Sequence, residues 1–402
     1  MSGPSMPARL HRHRRAAALT LVFASVLATG AAAGSWTDDR QNVQNTAAPP
    51  APADRPVDRE QLADAAAQAA EDGKSGADAA GAVVSRSGDR WAAVYSAREY
   101  EGLQQTLDGR YVGVGLWVRT GTGGRIEVDR VQPGSPAARS GLHAGDLLTG
   151  IDGTAIEGRP VTEVVARLRG ADGGDGTRGR TGAAAGTPVR LGVRRGAHAW
   201  ELTLRRARLA TENVTVDRLH DGPIATTRIK VVSFTKGTGE QVRRAVREAP
   251  KGDGILLDLR ANSGGLVAEA VTASAAFLDG GLVATYDVHG AQRALSAPPG
   301  GDTTRPLAVL VDGGTMSAAE LLAGALQDRG RAVVVGSRTF GKGSVQQPSE
   351  LPDGSVAELT VGHYSTPAGR AVDGAGITPD LAAHGDAEQR AGTVLSGLGG
   401  GA

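Results

Sequence analysis

The stretch that decides the fold is "PLAVLVDGGTMSAAELLAGALQDRGRAVVVG", Pro306 to Gly336. Two short runs of Leu, Val and Ala flank a segment rich in good helix formers, and glycines separate the three pieces. The same alternation extends from Thr211 to about His384. Strands that are apolar throughout and alternate with helices are typical of a sheet covered by helices on its faces. We therefore predict an α/β core over residues 208–384.

Ser317 stands at the start of the helix predicted in this stretch. Ser317-Ala-Ala-Glu320 fits a capping box, in which the serine and glutamate side chains satisfy free backbone N–H groups. A serine in this position is also a candidate nucleophile, provided that a base lies beside it. The stretch alone favours the cap, so the choice depends on the rest of the chain.

Composition excludes several classes of function. The 402-residue chain has a net charge of +1, which argues against bulk binding of nucleic acid. It has no cysteine, so disulfides, thiolate catalysis and cysteine-ligated zinc are excluded. It also lacks a Gly-x-Ser-x-Gly elbow and a His-Glu-x-x-His metal motif. We expect no metal and no cofactor.

The N-terminus indicates a compartment. Residues 1–34 run from a basic cluster into the apolar stretch Ala16 to Ala33, which ends in small residues. This pattern is typical of a signal peptide, and the stretch is also long enough for an uncleaved membrane anchor. Both alternatives place the rest of the chain outside the cytoplasm, either secreted or attached to the membrane.

Other segments differ in composition. Residues 35–58 are predicted to be a flexible linker, 59–108 a helical region, 109–207 a β-rich module, and 385–402 a flexible tail. Within the β-rich module, the glycine-rich insertion 171–186 is expected to be a surface loop of unassigned role.

The segment Arg331 to Gln347 allows two interpretations. Gly336 to Lys342 resembles a phosphate-binding loop, but Gly343 stands where a magnesium-binding hydroxyl is required. The alternative pairs Lys342 with Ser317, 25 residues earlier, which is enough for a helix, a turn and a returning strand. A lysine can serve as a general base only when its surroundings lower its pKa towards neutrality.

Two observations favour Lys342 as that base. Only five of the 44 basic residues are lysines, so a lysine near possible chemistry is more informative than usual in this arginine-rich chain. Arginine could not serve, because it stays protonated. Gln346 lies four residues further on, and even spacing in an extended segment places it on the same face, where it could orient the amine. His363 is less favoured as the base, and Asp258 is expected to be structural at a strand end.

The β-rich module resembles a PDZ domain. The resemblance rests on "YVGVGL", Tyr111 to Leu116, followed by "VQPGSPAARSGLHAGDLLTGIDGTAI". A Gly-x-Gly turn that enters a strand exposes backbone N–H groups that can hold a carboxylate, and the strand edge beyond it can accept a peptide as an extra strand. The candidate peptide-binding residues are Val112, Gly113, Val114, Gly115 and Leu116.

The segment from about Arg90 to Asp380 resembles the carboxyl-terminal processing peptidases, which are serine proteases. The motifs that carry the resemblance are "LLDLRANSGG", "VDGGTMSAAELLAGALQDRGRAVVVGSRTFGKGSVQ" and "HYSTPAGRAVDGAGITPD". It implies a core with the ClpP/crotonase-like fold, with Ser317 as nucleophile, Lys342 as base and Gln346 as supporting residue. It further implies an oxyanion hole formed by a backbone N–H of Gly264 or Gly265 together with that of Ala318. Ser263 replaces the proline usual in the Asn-Pro-Gly-Gly turn of that family.

These observations lead to one main hypothesis and two alternatives. The main hypothesis is a serine endopeptidase whose PDZ domain recognises protein or peptide substrates with free, apolar C-termini. The alternatives are a non-catalytic PDZ adaptor on a decayed protease core and a chaperone-like peptide holder. The presence of Ser317, Lys342, Gln346 and the Gly264-Gly265 turn in one chain favours the enzyme.

Overall fold

The computed structural model describes residues 59–170, 183–220, 224–288 and 291–399. These residues form two compact units. Of the described residues, 114–170 and 186–206 belong to the inserted unit, and 59–113, 183–185 and those from 207 to 399 belong to the main unit. The predicted signal or anchor, the linker and most of the glycine-rich insertion lie outside the described residues. No helix in the described part is long and apolar enough to span a bilayer.

The N-terminal part of the main unit is mostly helical. Its elements are α1 (Arg59–Glu71), α2 (Gly76–Ser87), β1 (Ala93–Tyr95), α3 (Ala97–Leu107) and β2 (Arg110–Gly113). A capping box of Ser96 and Glu99 starts α3. The strand β1 was not expected in the helical region predicted for residues 59–108. It forms where Val94 and Tyr95, which favour extended backbone, precede the helix cap.

The inserted unit is a small β-rich body with its own core. Its elements are β3 (Leu116–Thr120), β4 (Ile126–Val131), α4 (Pro136–Arg139), β5 (Leu147–Ile151), β6 (Thr154–Ala155), α5 (Val161–Leu168), β7 (Pro188–Arg195) and β8 (His198–Arg205), with a single 3₁₀ turn at Thr122–Gly124. The strand order is β3-β4-β5-β7-β8, so β3 lies at an edge of the sheet. Ile126, Val128, Val164 and Leu191 are completely buried at the centre of the core.

The rest of the main unit contains the predicted alternation of strands and helices. Its elements are β9 (Ala207–Ala210), β10 (Val214–Leu219), β11 (Thr226–Val231), α6 (Thr238–Glu248), β12 (Gly254–Asp258), α7 (Val267–Ser274), β13 (Gly281–Val288), β14 (Ala291–Ala297), β15 (Leu307–Val311), α8 (Ala318–Asp328), β16 (Val333–Gly336), β17 (Ser344–Glu350), β18 (Val356–Ser365), β19 (Leu381–Ala382) and α9 (Ala387–Gly399).

Two sheets organise this unit. The first has the order β10-β11-β12-β15-β16-β19 and is parallel from β11 onward. Every residue of β12 and β15 is buried, as expected for central strands of a parallel sheet. The second sheet contains β1, β18, β13 and β14, with β17 paired to β18. The mixed α/β class predicted from the sequence is confirmed, while the finer relation to ClpP and crotonase stays a prediction.

The flexible tail predicted for residues 385–402 is wrong over most of its length. Residues Ala387–Gly399 form α9, which packs against the first sheet. Ala387, Ala391 and Leu395 recur at four-residue intervals and make a narrow apolar stripe, all of it buried. The sequence did not indicate this helix because the segment is rich in glycine and its buried stripe contains one large side chain, Leu395.

Leu395 should therefore contribute to the stability of the main unit. We expect Leu395→Ala to lower the free energy of unfolding by about 2–4 kcal/mol, because it leaves a cavity under a completely buried side chain. Leu398→Ala on the same helix is the matched control, since that side chain is 51% exposed and should change stability by less than about 0.5 kcal/mol. Equal midpoints of urea unfolding for both variants would contradict the packing described for α9.

Candidate active site

Two loops meet at the carboxyl ends of the neighbouring parallel strands β12 and β15. The first loop covers residues 259–266 and the second covers residues 312–317. The Met316 N–H donates to the Asn262 carbonyl oxygen at 2.9 Å, and the Thr315 hydroxyl donates to the Leu259 carbonyl oxygen at 2.9 Å. The loops are therefore held against each other at the edge of the sheet where open α/β folds bind ligands.

Ser317 has an unusual backbone conformation. Its φ is 55° and its ψ is −119°, values that residues with a side chain rarely adopt. Ala261, in the facing loop, also has a positive φ of 56°. Strained residues of this kind persist only where the surrounding structure holds them, and they cluster at functional sites.

Glu320 caps the helix that Ser317 starts. The capping box of the sequence is present, and its glutamate half is a 2.8 Å hydrogen bond from the Ser317 N–H to Glu320 Oε2. The Glu320 N–H also donates at 2.8 Å to the Ser317 carbonyl oxygen, in the first turn of the helix. A serine that starts a helix in this way can still act as a nucleophile when a base lies beside it.

The same carboxylate holds the segment that carries Lys342. Glu320 is completely buried and also accepts hydrogen bonds from the Thr339 hydroxyl, from the Gly341 N–H at 2.7 Å and from the Lys342 N–H at 2.9 Å. Its Oε2 atom bonds the backbone nitrogens of both Ser317 and Lys342. The two residues that the sequence paired are thus held at one buried point, 25 positions apart in the chain.

The Lys342 amine lies in a half-buried environment. Burial lowers its pKa below the usual 10.5, although the negative charges of Glu358 and Asp89 act in the opposite direction. Burial raises the pKa of Glu358, which the charge of Lys342 partly offsets. No hydrogen bond joins Lys342 Nζ to the Ser317 hydroxyl in the part of the chain that the structure describes. Hydrogen bonds of this kind are often long before substrate binds.

Gln346 lies on β17, close to the lysine segment. Its side-chain N–H₂ group donates to the backbone carbonyl oxygen of Trp91. The structure thus places the amide of Gln346 against the N-terminal region. Its role as the residue that orients the lysine stays a prediction.

The glycine turn of the first loop packs directly on Ser317. A methyl group added at Gly264 would lie 2.8 Å from Ser317 Cβ and 3.2 Å from the Ala318 nitrogen, so only glycine fits there. The Gly264 N–H is already bonded to Asn262 Oδ1 at 2.8 Å. By contrast, neither the Gly265 N–H nor the Ala318 N–H has an acceptor among the described residues. These two N–H groups are therefore the better pair for binding an oxyanion.

The candidate peptide-binding residues span the end of β2 and the start of β3. Val112 and Gly113 belong to β2, which pairs with β9, and Leu116 begins the edge strand β3. In the inserted unit, the Val114 carbonyl oxygen accepts the Ala137 N–H at 3.0 Å. Gly115 has a φ of 81°, and a methyl group there would lie 2.2 Å from Ser135 Cβ. The turn before β3 therefore requires glycine, and within the described residues of its sheet β3 pairs on one side only, with β4.

Two residues considered from the sequence lie in other roles. His363 is exposed on β18, where its register partner is Ser344. Asp258 ends β12 and is bonded to Arg260 and to Lys230, at 2.7 Å and 3.3 Å for the closest ion pairs. Burial acts to raise the pKa of Asp258, but these cations lower it overall.

Sequence reasoning missed an aromatic residue beside the lysine. Trp91 lies with its ring centroid 5.3 Å from Lys342 Nζ, and Phe340 lies 5.7 Å from Trp91 between ring centroids. The two positions are about 250 residues apart along the chain, and no local pattern links them. Glu320 carried a signal, the capping box, but that signal did not show that its carboxylate also binds the Lys342 segment.

Comparisons with known proteins match two families. Residues 104–174 match the family model of the PDZ domain, and residues 225–383 match that of peptidase family S41. The chain is 35% identical over 318 residues to carboxyl-terminal-processing peptidase 3, chloroplastic, of Arabidopsis thaliana. The match covers 75% of this chain and 59% of that protein. It is 30% identical over 300 residues to the carboxy-terminal processing protease CtpA of Bacillus subtilis strain 168, covering 73% of this chain and 61% of that protein.

One solved structure shares the fold. The putative S41 protease from Bacteroides fragilis matches with a TM-score of 0.51 and 16% sequence identity, covering 80% of this chain and 90% of that one. The matched region spans about three fifths of the length of the two curated relatives.

The close contact at Gly264 leads to a prediction. We expect Gly264→Ala to lower the free energy of unfolding by about 2–4 kcal/mol, because the added methyl meets Ser317 and the φ of 89° is unfavourable. Gly252→Ala is the control: its φ is 97°, and no atom lies within 4 Å of the added methyl. Only the backbone term applies there, about 1–2 kcal/mol. Equal losses for the two variants in urea unfolding would contradict the contact between the two loops.

Proposed function

Because this chain belongs to peptidase family S41 and carries a PDZ domain, we propose that it is a serine endopeptidase acting on polypeptides captured by their C-terminal tails. One observation carries the catalytic part of the proposal. The buried carboxylate of Glu320 bonds the backbone of a strained serine and that of a half-buried lysine through the same oxygen atom. The family supplies the reaction class, and this arrangement supplies the nucleophile and the base.

The proposed reaction proceeds through an acyl-enzyme. The neutral amine of Lys342 removes the proton of the Ser317 hydroxyl as its oxygen attacks the substrate carbonyl. The N–H groups of Gly265 and Ala318 bind the developing oxyanion, supported by the N-terminus of α8. The lysine ammonium then protonates the leaving amine. A water molecule, activated by the same amine, hydrolyses the ester and releases Ser317.

The PDZ module is proposed to bind the substrate tail. In the inserted unit, β3 is an edge strand and α5 packs beside it, which leaves a groove where a peptide can add as a further strand. The glycine turn before β3 would hold the terminal carboxylate. Partly exposed aliphatic residues on these two elements, such as Leu116 on β3 and Val161 on α5, favour an apolar C-terminal residue.

We also propose that the enzyme acts outside the cytoplasm. The proposal rests on the basic and apolar pattern of residues 1–34, which is typical of export. Two of the relatives, carboxyl-terminal-processing peptidases 2 and 3 of Arabidopsis thaliana, are named as chloroplastic proteins.

The catalytic assignment predicts a specific pH dependence. Wild-type kcat/KM for an unfolded test protein should rise with pH through a midpoint below 10.5, because burial lowers the pKa of Lys342 and only its neutral form accepts a proton. Ser317→Ala and Lys342→Met should each lose at least about a thousandfold in activity. Lys251→Met, which changes an exposed lysine, is the matched control and should retain wild-type activity.

Two results would count against the assignment. Full activity in Lys342→Met would exclude this lysine as the base. Peptide binding without any cleavage by the wild type would favour the non-catalytic adaptor.

Tail recognition is tested separately. A peptide ending in a free apolar residue should be cleaved with a KM at least about tenfold lower than the same peptide with an amidated C-terminus, because the amide lacks the charge that the turn would bind. An internal substrate with no free end near the cleaved bond serves as the reference. Equal KM values for acid and amide would contradict capture of the carboxylate while leaving the catalytic assignment intact.

A further inference from the structure

The aromatic ring of Trp91 borders the candidate base. Lys342 Nζ lies 5.3 Å from the centroid of the indole ring, a distance at which an ammonium is attracted to an aromatic face. Phe340, 48% exposed, packs on the same ring with a tilt of 57°. The lysine side chain therefore has an aromatic neighbour contributed by the N-terminal region.

Trp91 is fixed to the segment that carries Lys342. Its indole N–H donates to Asp373 Oδ1 at 3.1 Å, and the same oxygen accepts the N–H of Gly343, the residue after the lysine, at 3.1 Å. Arg90 pairs with Asp373 Oδ2 at 2.9 Å and lies 4.8 Å from the Trp91 ring. One carboxylate thus connects the tryptophan and the backbone of the base.

The backbone of Trp91 is also held from the other side. Its carbonyl oxygen accepts the hydrogen bond from Gln346, and its N–H donates to Asp89 at 3.0 Å. Asp89 in turn accepts the N–H and the hydroxyl of Thr360 on β18 at 3.1 and 2.9 Å. Trp91 would therefore keep its place whether or not the lysine is charged.

We infer that Trp91 is a positioning residue for the general base: its ring fixes the Lys342 amine and stabilises the ammonium that forms when Ser317 gives up its proton. The inference rests on the proposed function. A tryptophan suits this task because its face attracts a cation yet offers no lone pair that would compete with the serine hydroxyl for the amine. A neighbouring carboxylate would instead bind the ammonium and oppose its deprotonation.

Several charged groups lie near the amine or near the segment that carries it. Glu358 and Asp89 act on it through their charge. Glu320 accepts the backbone N–H of Lys342, and Asp373 accepts the indole N–H of Trp91 and pairs with Arg90. A test of Trp91 must leave all five unchanged, which substitutions at the tryptophan itself do.

Steady-state cleavage of a fluorogenic peptide with a free apolar C-terminus, measured from pH 6 to 11, tests the inference in the full chain. Trp91→Leu keeps apolar bulk and removes the aromatic face. We expect its kcat to fall about tenfold with KM within about threefold, and the midpoint of its pH profile to move down by about half a unit, because the ammonium loses the ring. Trp91→Phe, which keeps a face, should stay within about threefold of wild-type kcat.

Trp200→Leu is the matched control. Trp200 lies on β8 in the inserted unit, where Arg195 stacks on it at 5.5 Å, so it is a second cation-facing tryptophan outside the main unit. It should keep the wild-type kcat and midpoint. Should Trp91→Leu fail to fold, Trp91→Phe carries the test through a smaller downward shift of the midpoint, since Phe attracts cations less than Trp.

Three outcomes are distinguishable. Cleavage that depends on Ser317 but is unaffected by Trp91→Leu overturns this inference alone. A fall in kcat that is equal at every pH, with no shift of the midpoint in either variant, shows a merely structural tryptophan and also overturns it. Cleavage that persists in Ser317→Ala contradicts the proposed function itself.

Discussion

A buried carboxylate, Glu320, is the constraint on which the candidate site depends. Four donors converge on it, and three of them are backbone N–H groups from two segments that a helix and a strand separate. A buried carboxylate without such partners would be strongly unfavourable, so its burial and its hydrogen bonds must form together. The consequence is geometric, because the start of α8 and the turn after β16 cannot move independently. The backbones of Ser317 and Lys342 are therefore held at a fixed position relative to each other.

The pKa of Lys342 is set by opposing effects from several neighbouring groups. Burial favours the neutral amine, which can act as a base, and the charges of Glu358 and Asp89 favour the ammonium. An aromatic face adds a weaker attraction without a hydrogen-bond acceptor. The proposed base is thus half-buried, and among the described residues it forms no ion pair with a single carboxylate. The N-terminal region takes part in this balance through Trp91.

Much of the architecture could be predicted from the sequence, since it follows from local patterns. The apolar runs of β12 and β15 indicate buried strands. The helix formers of α8 indicate a helix, and the capping box located its start. The missed features depend on contacts distant in sequence. Trp91 contacts Lys342 although about 250 residues separate them in the chain. The apolar stripe of α9 is buried by the first sheet, so its role is evident only from the folded structure. The choice of Gly265 over Gly264 required knowledge that the Gly264 N–H is already bonded to Asn262.

The central claim, that Lys342 activates Ser317, is tested most directly without any assumption about the substrate. The full chain would be treated with a fluorophosphonate, which reacts with activated serine hydroxyls, and the modified residue would be identified by peptide mass spectrometry across a pH series. We expect a single adduct at Ser317, formed faster as pH rises, and at least about a hundredfold more slowly in Lys342→Met. An adduct that forms equally fast in Lys342→Met, or the absence of any adduct at Ser317 in the wild type, would contradict it.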